Sequence, residues 1–171
     1  MGCCMSIYDI EEFVNRREGD RQPIHDWKWH CTSLPFGMDT DYCESVSLPF
    51  PSFNIKPLFG AGTFTYYPGF EEIQAFDCQF HEDEALRSLK WLTSWKERIR
   101  DPETGAFYLP TNYKYDLVFE LLGNKNQTIL TATCKNCWPS TKGNWDLNYT
   151  STNGLLKVHQ NFSCDGVKLS I

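Results

Sequence analysis

The first residues that could do chemistry are cysteines. The chain carries eight of them, and Cys134 and Cys137 form a CxxC. A redox CxxC opens a helix behind a strand, because the helix N-terminus is what lowers the thiol pKa. Here Trp138-Pro139 follows, a pair that stops a helix. As half of a zinc site the CxxC needs a second pair at similar spacing, and the sequence has none. Cys31, Cys78 and Cys164 fall on the apolar faces of alternating segments, where small core hydrophobes account for them. His25, His30, His81 and His159 have no catalytic companion at a recognisable spacing, and no G-x-S-x-G, phosphate loop or H-E-x-x-H occurs. Glu82-Asp83-Glu84 is explained by the dipole of the helix that it opens. These patterns ask for no enzyme, metal or cofactor.

Two kinds of modification signal remain. Residues 1–6, MGCCMS, fit a myristoylation pattern with Cys3 and Cys4 beside it for palmitoylation, which would make the chain a lipid-anchored interaction module. No polybasic patch supports the anchor, since Glu11 and Glu12 follow. Sequons begin at Asn126, Asn148 and Asn161, but Asn161 lies in the middle of a strand pattern and the N-terminus shows no apolar signal segment.

Bulk properties narrow the class. A chain of 171 residues suffices for one domain with its own core. A net charge of −6 argues against a phosphate-neutralising grip on nucleic acid. No apolar run approaches the ~20 residues of a membrane span.

The elements that must position these residues read as mainly β. Asp26 to Ser33 alternates, with Trp27, Trp29 and Cys31 on one face, and stops at Leu34-Pro35-Phe36-Gly37. Tyr42 to Leu48 and Phe53 to Leu58 read as strands on either side of Pro49 and Pro51. Gly60 to Gly69 reads as a loop or as a short hairpin through Phe64 and Tyr66. Gln74 to Phe80 and Tyr113 to Leu121 alternate cleanly, and Gly123 to Asn126 is a hairpin turn returning through Leu130, Ala132 and Cys134. Trp145, Leu147 and Tyr149, then Leu156, Val158, Phe162 and Cys164, continue the alternation on either side of Asn153-Gly154. One helix is expected at about 83–100, with Ala85, Leu89, Leu92 and Ile99 on its apolar stripe, widened by Leu86 and Trp95. The order of elements lacks βαβ alternation. It predicts a β-sandwich or barrel of two packed antiparallel sheets with one flanking helix. Residues 1–22 read as an N-terminal arm and 23–171 as the β domain.

Three blocks resemble the tail tube proteins of contractile-tailed bacteriophages. Cys31-Thr32-Ser33-Leu34-Pro35 is similar to the family's early strand and its Leu-Pro turn. Phe76 to Ala85 resembles its alternating strand running into an acidic-started helix. Trp138-Pro139-Ser140, followed by Gly143, resembles its Trp-Pro-Ser/Thr turn, and Trp145 to Tyr149 and Asn153 to Asp165 its last strands. The chain departs from the family in a short first strand, which suggests that the long early hairpin is reduced or replaced. It also departs in Cys78 and Cys164 at valine-like core positions.

The resemblance implies a self-assembling structural protein without a cofactor or a membrane partner. Its copies would form hexameric rings that stack into a tube inside a contractile sheath. Partners would be other copies, the sheath, baseplate and tail-terminator proteins, with the tape measure protein and viral DNA in the lumen without specific binding. The location would be the virion, assembled in the bacterial host cytoplasm. A tube-initiating baseplate protein of the same fold is the close alternative. Exposed Cys3, Cys4 or Cys137 would then be candidates for disulfides between subunits in released particles.

Overall fold

The computed structural model describes residues 26–145, 147 and 154–171. Its organising element is a strand, β7 (Thr128–Trp145), that belongs to two sheets at once. The first half of β7 pairs with β6 (Tyr115–Leu122) on one edge and with β9 (Gly166–Ser170) on the other. Its second half pairs with β8 (Lys157–Ser163). Beyond β6 lies β1 (Trp29–Ser33), and beyond β8 lie β5 (Phe76–His81) and then β2 (Cys43–Ser47). All these pairings are antiparallel, giving the path β1-β6-β7-β8-β5-β2 with β9 on the side of β7. The result is a sandwich of β1-β6-β7-β9 on β2-β5-β8-β7, joined through their shared strand.

Alternation in sequence becomes burial in the sandwich. Phe76, Cys78 and Phe80 of β5, Leu117 and Phe119 of β6, Ala132 and Cys134 of β7, and Val158 and Phe162 of β8 all point into the core. Phe76 meets Phe119 edge to face across the layers, with centroids 6.4 Å apart, and stacks on Phe162 at 5.8 Å. Burying each such aromatic side chain contributes on the order of 2–3 kcal/mol.

The helix, α1 (Arg87–Glu97), closes one end of this core. It is shorter than the span of about 83–100 read from sequence, because Leu86 adopts a left-handed conformation (φ 55°) and the chain turns helical only at Arg87. The acidic residues before it act from outside the helix. Glu82 Oε1 accepts the Ser88 N–H (3.0 Å), Glu82 Oε2 the Leu89 N–H (2.8 Å) and Asp83 Oδ1 the Arg87 N–H (3.2 Å). The buried face is Ser88, Trp91, Leu92 and Trp95: of the expected stripe Leu92 and Trp95 are buried, Leu89 and Ile99 are half-buried, and Ala85 and Leu86 are exposed. Two tryptophans anchor it. Trp91 packs on Phe80 and donates to Pro35 O (2.9 Å), and Trp95 packs on Phe162 and donates to Tyr113 O (2.7 Å).

Three further expectations change. Residues 60–69 are not a loop: β3 (Ser52–Gly60) and β4 (Thr63–Glu72) form a long hairpin. Trp138-Pro139 is not a turn but runs through β7, opposite Ser163 and Phe162. Pro139 sits just past the last β6 pair, where β7 has a neighbour on one edge alone, the setting in which a strand accepts proline. After Asp165 the chain adds β9, which the sequence pattern left unseparated from β8. The N-terminal arm, with Cys3 and Cys4, lies outside the described residues, as do Asn148 and Tyr149.

Candidate assembly surface

Among the described residues the β3–β4 hairpin hydrogen-bonds to no other strand. Ala61 and Gly62 both have positive φ (50° and 82°), the requirement of a two-residue type I′ turn whose twist matches the flanking strands. Cross-strand partners share a face, so the pairs Ile55–Pro68, Pro57–Tyr66 and Phe59–Phe64 put four apolar or aromatic side chains and two prolines on one side, with Phe53 continuing the row. The register shifts between Phe53 and Ile55, which turns Phe70 to the opposite side, where Lys56 Nζ lies 4.4 Å from its ring centre. Phe53, Ile55, Phe59, Phe64 and Tyr66 are all more than half exposed. A two-stranded ribbon is marginal by itself in water, and an apolar row on such a ribbon calls for a covering surface. Pro57 and Pro68 remove backbone donors from the strands, so the ribbon is better suited to packing by its face than to extension by its edges.

The body offers complementary features. β1 and β2 end the sheet path, and β9 has β7 on one side only, so three strand edges are open among the described residues. A second exposed apolar group, Phe107-Tyr108-Leu109, follows a rigid turn. There Asp101 accepts from the Glu103 and Thr104 backbone N–H groups (2.9 and 3.4 Å) and from the Thr104 hydroxyl (2.8 Å), which holds its carboxyl below its ordinary value.

The cysteines read from sequence are brought together, though not at the surface. Asn136, with φ 54°, is a bulge in β7 whose N–H is taken by Asp116 Oδ1 at 2.9 Å. The extra residue turns both Cys134 and Cys137 inward, so the CxxC spacing is a consequence of the bulge, and both thiols are fully buried. Cys137 is therefore corrected as a candidate for a disulfide to a neighbouring subunit. Its sulfur faces Cys134 O (3.2 Å) and the Cys134 and Cys164 thiols. Those two thiols, with burial, push Cys137 far up, whereas hydrogen bonds from Cys134 and Cys137 pull the half-buried Cys164 down. Among the described residues no group of three or more His, Cys, Asp or Glu is placed to hold a metal ion.

The other motif residues have structural roles. Trp138 packs edge to face on Tyr113 (6.3 Å), Pro139 is buried, and Ser140 Oγ donates to Asn161 O (3.3 Å). Gly143 lies where β7 passes over Gln160. A Cβ there would collide with Gln160 Oε1 and lie 3.0 Å from Lys96 Nζ. The full length of the hairpin arm is what sequence reading missed, having placed a strand at Phe53 to Leu58 and no more than a short hairpin after it. Its signal is the alternation Phe53, Ile55, Pro57, Phe59 mirrored by Phe64, Tyr66, Pro68 about Ala61-Gly62, masked by glycines and prolines that ordinarily mark loops.

No protein-family model and no curated protein matches the sequence. Solved structures do match the fold. The chain is similar to one from the sheath/tube terminator of the extracellular contractile injection system PVC in its extended state, at 15% identity and TM-score 0.65, covering 87% of this chain and 97% of that one. It is similar to a chain of the PVC sheath-tube complex in the extended state at 16% identity and TM-score 0.64, covering 98% and 99%. It is also similar to a chain of the tube-terminating cap of the anti-feeding prophage at 14% identity and TM-score 0.66, covering 86% and 91%. The fold is tail-tube-like.

Proposed function

We propose that this protein is a structural subunit of a contractile tail or injection-system tube, and that its copies assemble into rings that stack within a sheath. The observation that carries this reading is the hairpin of residues 52–72, which leaves an apolar row uncovered on a tail-tube-like fold with open strand edges. A second copy supplies both a surface for the row and strands for the edges, which is the logic of a closed ring. Hexameric rings, a surrounding sheath and contacts to baseplate or terminator proteins are the arrangement that the tail tube resemblance implies. A net charge of −6 suits a lumen through which viral DNA or a tape measure protein passes without specific binding. The role is architectural, not catalytic.

A ring that starts or ends a tube is the close alternative. It is favoured by likeness to terminator and cap chains at TM-scores matching that to the sheath-tube complex, with a baseplate chain following at 0.61. Electron microscopy of the concentrated purified chain tests both. Stacked rings or tubes support the tube subunit, isolated rings the starting or ending ring, and a strictly monomeric protein at high concentration overturns the assembly reading.

A further inference from the structure

β1 and β2 are the two ends of the sheet path, one from each layer, and among the described residues no hydrogen-bonded pair closes the seam between them. Cys31 of β1 and Cys43 of β2 line one cleft beside it, Cys43 directly following the Thr40–Tyr42 turn that packs on β1. Neither these two nor Cys78 is in a disulfide. Cys31 is buried and Cys43 is half-buried, yet both line a solvent cleft of about 300 Å³ walled by Trp29, His30, Asp41 and Glu44. Cys78, 1% exposed, sits behind them in the core and does not line the cleft.

The geometry points to Cys31 and Cys43 as an oxidisable pair that, on meeting a small-molecule disulfide, forms an internal cross-link closing the β1–β2 seam of each subunit. The more exposed Cys43, as thiolate, attacks one sulfur of the small disulfide, giving a mixed disulfide and releasing one small thiol. Cys31, losing its proton, then attacks the Cys43 sulfur and expels the second small thiol. Two protein thiols become one disulfide, and the two electrons and two protons end on the two released thiols. The thiol–thiol contact with Cys43, together with burial, holds the Cys31 pKa far up. Cys43 is lowered by the Cys31 contact but raised more by Cys78 and burial. Both thiols therefore stay protonated, and the pair resists oxidation until the oxidant is in excess. The cross-link lies within one chain and does not depend on the assembly reading.

The test treats the reduced full-length chain with excess glutathione disulfide under native conditions, blocks residual thiols and maps disulfide-linked peptides by mass spectrometry. A Cys31–Cys43 linkage within monomers is expected. Closing a loop of this length is expected to raise Tm by about 5–10 °C. The shift should persist in Cys78→Ser and vanish in Cys31→Ser. A Cys43–Cys78 linkage, linkage between chains at either cysteine, or a Cys31–Cys43 bond that forms only in denaturant overturns the proposal. If Cys31→Ser does not fold, the wild-type peptide map decides alone.

Discussion

Replacing Phe59 and Phe64 together by serine should abolish self-association while leaving the subunit folded. The two rings face each other near the hairpin tip with centroids 5.1 Å apart, and they are 69% and 62% exposed in the single chain. With about 200 Å² for each phenylalanine, the pair presents roughly 260 Å² for burial, worth up to about 6 kcal/mol at ~25 cal/mol per Å². Interfaces realise only part of such area, since ordering side chains and imperfect packing cost free energy. A loss of about 3 kcal/mol per contact is a reasonable expectation, which weakens association by roughly 100-fold or more. Cooperative closure of a ring multiplies that loss across its contacts. Sedimentation velocity over a concentration series, with electron microscopy of the same samples, reads the effect. Tm measured on dilute monomer is the control and should change little, because neither ring is part of the sandwich core. If the double variant assembles at the wild-type concentration, the apolar row is not an interface and the argument from its exposure fails.

Other outcomes follow from the interior. Gly143→Ala should cost about 1–3 kcal/mol in denaturant unfolding, because the new methyl group meets Oε1 of the fully buried Gln160, which must shift within the core. An unchanged midpoint would show that β7 shifts freely there. Burial tends to raise the Asp83 carboxyl, but hydrogen bonds from the Tyr42 hydroxyl (2.9 Å) and the Arg87 N–H (3.2 Å), with the Arg87 charge, hold it below its ordinary value. A carboxyl lowered by folding stabilises above its unfolded pKa of about 4, and that contribution is lost as pH falls through the folded value. Asp83→Asn should therefore lower Tm at neutral pH and flatten its fall in acid, whereas an acid limb parallel to wild type would remove Asp83 from the account. Limiting iodoacetamide at pH 6 should label Cys164 before Cys134 and Cys137, read by peptide mapping, because Cys164 is pulled down by its two neighbours and is the most exposed of the three. Earlier labelling of Cys137 would contradict its place in the core.

Much of the sandwich was legible because its strands are half-buried. In Phe76-Asp77-Cys78-Gln79-Phe80 and in Leu117 to Leu121, a period of two is the direct imprint of one face on the core and one on solvent. The helix was legible from its apolar spacing, but its start was not. A left-handed Leu86 has no signature in residue type, and the acidic caps act from outside the helix. The Trp-Pro pair misled for a related reason. Proline signals a turn by local preference, yet at Pro139 the tertiary context supplies a strand with one neighbour, where proline is harmless. The first strand of the hairpin arm was read over Phe53 to Leu58, but the length of the second was missed, because glycine and proline dominate local statistics and no buried face exists within one subunit to confirm the strand.

What the sequence alone determined is the set of properties written in local periodicity and composition: a β-rich domain, a long helix near residues 83–100 and a net acidic charge. Residues distant in the chain were paired only by the tertiary structure. A bulge at Asn136 turned the CxxC into two core thiols, and the ends of the sheet path brought Cys31 and Cys43 to one cleft. The physical reason is that burial and thiol environment depend on which strand lies opposite. Strand pairing is a non-local choice, settled by how two sheets share β7 and not by any one segment.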